Sequence, residues 1–67
     1  MNKWRFTEFM EKAGYNQISL ARELGMSKNS LNNRLNGRAF FDTEEIRHIC
    51  ELINLKDAAA IVEVFLS

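Results

Sequence analysis

Between Ser27 and Gly37 the chain carries one lysine and four asparagines, Lys28, Asn29, Asn32, Asn33 and Asn36, at positions that a helix would gather on one arc, opposite Leu31 and Leu35. Asparagine in a helix interior costs several tenths of a kcal/mol, about 0.5, against alanine, so a run of them on an exposed face does nothing for stability. Each side-chain amide presents a donor beside an acceptor. That pairing matches the edge of an adenine in the major groove, where one amide can make two hydrogen bonds at once. The plainer reading is a solvated polar face.

Other chemistry finds little support. His48 stands between Arg47 and Ile49 with no second histidine and no cysteine pair at ligand spacing, so a metal site is not expected. Cys50 falls on an apolar stripe and reads as a small buried hydrophobe. Ser19, Ser27 and Ser30 make no nucleophile–base arrangement with the lone histidine, and no glycine loop suited to a phosphate is present. Neither an enzyme nor a cofactor is expected.

The asparagine arc has to be held by neighbouring elements. Ile18, Leu20, Ala21 and Leu24 fall at helical spacing, and Leu31 and Leu35 resume it after Gly25. Two short helices separated by a glycine follow, with Gly25 in the left-handed turn and Ser27 capping the second helix, which runs to about Asn36. Ala21 is small enough to let the helices cross closely. This is a helix-turn-helix pattern.

An amphipathic helix precedes it from Trp4 to Ala13, with Phe6, Phe9, Met10 and Ala13 on one face and Gly14 at its end. Three times an apolar residue precedes a capping residue and another apolar residue follows four positions after the cap: Tyr15, Asn16 and Leu20; Met26, Ser27 and Leu31; Phe41, Asp42 and Ile46. Each is a hydrophobic staple around a helix start, and Asp42 with Glu45 adds a capping box. A fourth helix runs from about Thr43 to Ile53 with Ile46, Ile49, Cys50 and Ile53 in phase, and Asn54–Leu55 reads as a turn. A fifth, from about Asp57 to Leu66, has Ala58, Ile61, Val62 and Phe65 on one face and Ala59, Val64 and Leu66 on others.

Sixty-seven residues, 46% of them hydrophobic, with no proline and three glycines, suit a single all-α domain spanning residues 1–67. One cysteine supports no disulfide framework, and no apolar run reaches the roughly 18–20 residues of a membrane span, so a cytoplasmic protein without membrane contact is expected. Net charge is zero, yet the charge is polarised. From Asn16 to Phe40, Arg22, Lys28, Arg34 and Arg38 oppose only Glu23, which leaves +3; from Phe41 onward Arg47 and Lys56 oppose six carboxylates, which leaves −4.

The run Gln17, Leu20-Ala21, Leu24-Gly25, Ser27, Leu31 and Leu35-Asn36-Gly37 resembles the helix-turn-helix of phage repressor and Cro-like regulators, the XRE family. The resemblance is densest over this unit and extends more weakly over nearly the whole chain. One departure is plain: many members place an apolar residue three positions after the one matching Leu31, where this chain has Arg34, and Leu35 follows instead. The resemblance implies a five-helix, lambda-repressor-like fold and a sequence-specific transcriptional regulator that binds a double-stranded DNA operator, as a phage or prophage Cro-like repressor or antirepressor. By matched position it implies base contacts from Lys28, Asn29 and Asn33, with Asn32 assisting. Phosphate contacts are implied for Gln17, where helix amides favour an anion, for Asn36 and Arg38 in the following loop, and for Ser30. Arg22 and Arg34 stay open between a phosphate contact, a structural salt bridge and a solvated charge.

Family members commonly pair two units across half-sites about 34 Å apart. The fifth helix offers the surface for a weak homodimer, or a heterodimer with another repressor: Ile61 and Phe65 fill the core while Ala59, Val62 or Leu66 face a neighbour. Alternatively its apolar excess folds over Trp4 and Phe6 to complete a monomer. The competing function is a protein-interaction regulator that binds a repressor or a toxin, which the zero net charge and apolar last helix favour.

Overall fold

A computed structural model of the chain describes residues 1–66, and Ser67, the last residue of the expected domain, lies outside it. Five helices follow in order: α1 (Lys3–Lys12), α2 (Gln17–Glu23), α3 (Lys28–Leu35), α4 (Thr43–Leu52) and α5 (Ala58–Leu66). The described residues contain no strand. The all-α expectation holds.

The helix starts sit where the caps put them. Asn16, Ser27 and Asp42 are in extended conformation and accept from the backbone N–H three residues on, at 2.8, 3.0 and 2.7 Å. Asp42 and Glu45 close a reciprocal box, and so do Asn16 and Ser19. A fourth cap, Asn2, starts α1 by accepting from Arg5 N–H at 3.1 Å. Tyr15, Met26 and Phe41, the residues just before three of these caps, are half-buried against the core.

The first four helices end on one device. In each, the residue after the cap turns left-handed and the next N–H returns to a carbonyl one turn back: Tyr15 to Met10, Met26 to Ala21, Arg38 to Asn33 and Leu55 to Cys50, at 2.8–3.0 Å. At Gly25, φ is +71°, and a Cβ there would meet nothing within 4 Å, so the demand for glycine comes from the backbone alone. Asn54 makes the same turn at φ +58° without being glycine, as asparagine tolerates better than most residues.

Phe6, Met10, Leu20, Ala21, Leu31, Leu35, Ile49, Ile53, Leu55 and Val64 form the core. Phe6 also stacks on Phe41 with centroids 6.2 Å apart and meets Phe65 edge-on at 6.2 Å, while Phe41 and Phe65 meet edge-on at 5.9 Å. This triangle fastens α1, the start of α4 and α5 together. Arg5 reinforces the α1–α5 seam through Glu63 at 2.7 Å, a contact that raises the guanidinium pKa, and lies 5.2 Å over the Phe9 ring.

Four apolar expectations need correction. Ile18 is 54% exposed, because the phase set by Leu20, Ala21 and Leu24 leaves it more than about 100° round the helix. Ala13 is the exposed C-cap of α1 rather than part of its buried face. In α5 the fully buried residue is Val64, flanked by half-buried Ala60, Ile61 and Phe65, while Val62 is 53% exposed and Ala58 is exposed. Trp4 is 84% exposed, so α5 does not fold over it.

Candidate nucleic-acid interface

Two packed helices make the site. Ala21 of α2 is buried in the core, and Leu31 and Leu35 join it from α3. The departure at Arg34 is thereby explained: the buried pair is spaced by four residues, and position 34 sits at the edge. That rotation fixes which α3 side chains face water. Lys28, Asn29 and Asn33 are exposed, Asn32 is half-buried, and Asn36 is exposed at the C-cap.

The opening turn of α3 carries hydroxyl groups and a positive charge. Ser27 Oγ accepts from Ser30 N–H at 3.0 Å and donates to Ser30 Oγ at 3.1 Å, which leaves the Ser30 hydroxyl proton to be given elsewhere. Neither α2 nor α3 has an acidic residue in its first turn, so the positive ends of both helix dipoles are unopposed there and Lys28 adds a full charge. The first turn of α4, by contrast, holds Glu44 and Glu45.

A chain of amides runs across the unit. Asn32 Nδ2 donates to Gln17 Oε1 at 3.3 Å, and Asn36 Nδ2 donates to the carbonyl and side-chain oxygens of Asn32 at 2.9 and 2.8 Å. Gln17 is thus held at the first turn of α2, and its Nε2 protons have no acceptor among the described residues. Asn36 has committed both of its amide protons, and reaches an external acceptor only by releasing Asn32. Asn33 is touched by Arg38 Nη1 at a long 3.5 Å, whereas Lys28 and Asn29 have no hydrogen-bonding partner among the described residues.

Of the two open arginines, Arg34 is a strut. Its Nε lies 3.3 Å from Glu45 Oε1, its Nη1 donates to Ser30 carbonyl at 3.0 Å, and both ionic side chains are largely covered. Arg22 and Arg38 are exposed and make no ion pair among the described residues. Two contacts lay beyond sequence reasoning. The Arg34–Glu45 pair spans eleven residues, and Lys3 Nζ donates to Asn36 Oδ1 at 3.1 Å across thirty-three. No local spacing announces either.

Away from this face, Cys50 is half-buried rather than buried as expected, and burial pushes its thiol pKa up against a smaller opposing pull from Lys56. Among the described residues no helix is long and apolar enough to cross a membrane.

The model of the family described as helix-turn-helix matches residues 7–62, from the middle of α1 into α5, and so takes in the whole α2–turn–α3 unit. No curated protein and no solved structure gives a match.

Proposed function

Because the chain belongs to the XRE-type helix-turn-helix family of DNA-binding transcriptional regulators, we propose that it is a sequence-specific operator-binding protein of the phage Cro-like repressor or antirepressor kind, acting in the cytoplasm and reading the major groove with α3. One observation carries this reading: Lys28, Asn29 and Asn33 stand exposed and unpaired, or nearly so, at the start and middle of a helix whose opposite side is core. Stability does not require them there. Major-groove recognition from the N-terminal part of a second helix does.

In this reading Lys28, Asn29 and Asn33 meet base edges, and Asn32 holds Gln17 in place and assists. Gln17, Arg22 and Arg38 meet phosphates from α2 and the α3–α4 loop, Ser30 adds its hydroxyl proton, and Asn36 joins them only on letting go of Asn32. A weak pairing of two units belongs to the same proposal. Ala59, Val62 and Leu66 share the outward side of α5, opposite buried Val64, and Leu66 is 77% exposed. The test is selection from random duplexes. A common motif must emerge, and substitution of Asn29 or Asn33 must change it; recovery of unrelated sequences with uniform affinity would reject sequence-specific reading.

A further inference from the structure

Lys3 is the first residue of α1, and the start of that helix is fixed at two points. Asn2 caps it through Arg5 N–H, and Asn2 N–H donates to Val64 carbonyl in α5 at 2.7 Å. From this anchored position the Lys3 side chain reaches across to the far end of α3, where Nζ donates to Asn36 Oδ1 at 3.1 Å. The side chain is exposed and pairs with no carboxylate among the described residues. Two of the three ammonium protons are left over.

Asn36 stands one turn beyond Asn32 and Asn33, where the exposed arc of α3 ends. A phosphate arriving there needs donors, and Asn36 has none to spare because both amide protons rest on Asn32. The end of α3 is also the negative end of its dipole, which repels an anion unless a cation reverses the local field. Arg34 in the last turn is engaged by Glu45, so beside Arg38 of the following loop it is Lys3 that supplies donors and charge at Asn36.

We propose that Lys3 is a DNA-backbone contact: its ammonium, steered by Asn36, binds a phosphodiester oxygen at the C-terminal end of α3, so that α1 grips the duplex together with α2 and the α3–α4 loop. This rests on the reading of α3 as the DNA-reading helix. The contact carries no base information, and its role is to fix how α3 lies in the groove.

Lys3→Gln keeps a donor for Asn36 and removes the charge, while Lys3→Arg keeps both. Each variant and the parent protein are titrated, by fluorescence anisotropy over a series of potassium chloride concentrations, against a labelled mixed-sequence duplex and against the duplex selected from it. Lys3→Gln is expected to weaken binding to both duplexes by the same several-fold factor at low salt and to reduce the slope of log K against log salt by about 0.9, one phosphate. Lys3→Arg is expected to restore the slope, and the thermal midpoints of all three proteins to coincide. An unchanged slope with a lowered midpoint would make Lys3 a helix-end support only, and a loss confined to the selected duplex would make it a base-positioning group; either overturns the proposal. A parent protein with no salt-dependent binding to any duplex overturns the DNA-reading assignment as well, whereas normal parent binding with an unaltered Lys3→Gln slope overturns this contact alone.

Discussion

Glu45 Oε1 lies 3.0 Å from the backbone N–H of Asp42 and 3.3 Å from Arg34 Nε, so one carboxylate oxygen closes the first turn of α4 and ties it to α3. Arg34 passes the tie on to the Ser30 carbonyl. The start of α4 is thus tied to the first half of α3 through Glu45 and Arg34.

Glu45→Gln keeps an acceptor for Asp42 N–H and loses the ion pair, whereas Glu45→Ala loses both. The alanine variant is expected to lower stability by about 1–2 kcal/mol and the glutamine variant by roughly half of that, as read by chemical denaturation. Equal losses would mean that the bond to Asp42 N–H contributes nothing, and a glutamine variant of full stability that the ion pair contributes nothing.

Asn29→Ala and Asn33→Ala are each expected to cost about 1–3 kcal/mol on the selected operator and far less on mixed-sequence duplex, with the thermal midpoint unmoved or slightly raised, because neither side chain touches the core and alanine is the better helix residue. Losses of equal size on both duplexes would move these residues from bases to phosphates.

Gly25→Val is expected to destabilise the fold by roughly 1–3 kcal/mol, because φ is +71° and a branched side chain resists that conformation even in open space. Arg38→Ala should leave stability alone and flatten the salt dependence of binding by about one phosphate. Denaturation curves and salt titrations of the two variants should therefore show opposite patterns; a Gly25→Val protein of full stability contradicts the strain argument.

Val62→Asp is expected to abolish any concentration-dependent association seen by sedimentation over a hundredfold range and to weaken operator binding in step, without unfolding the domain. Such a small patch lies well below the ~1,200 Å² of a stable interface, so the association should be weak. A parent protein that sediments as a monomer throughout, with operator affinity retained in the variant, removes α5 as a pairing surface.

The elements were legible in the sequence because their punctuation is local. Asn16, Ser27 and Asp42 each bond within three residues, and Gly25 answers a dihedral requirement of its own position. What the sequence left hidden needs the third dimension. The facing of α5 could not be read from a helix apolar nearly all round, and it took packing to place Val64 inside and Val62 outside. Arg34 was undecidable until Glu45 arrived from the next helix, and Lys3 drew no notice because its partner is thirty-three residues away. Helical phase sets Asn32 about 80° and Asn33 about 180° from the Leu31–Leu35 direction, and so separates the half-buried residue from the exposed one, but the bond from Asn32 to Gln17 on the neighbouring helix is outside its reach.

Within α3, Leu31 and Leu35 serve the core while Lys28, Asn29 and Asn33 serve only the outside. Substitutions at those three positions therefore carry little folding penalty, and this face can change without compensating change in the core. Asn32 is different: it is bonded to Gln17 and Asn36, so a change there removes partners from both. A library randomised at 28, 29 and 33 should therefore consist mostly of folded proteins, and if α3 reads DNA as proposed, any new target preference should be found among them, whereas one randomised at 17, 32 and 36 also breaks the amide chain between the two helices.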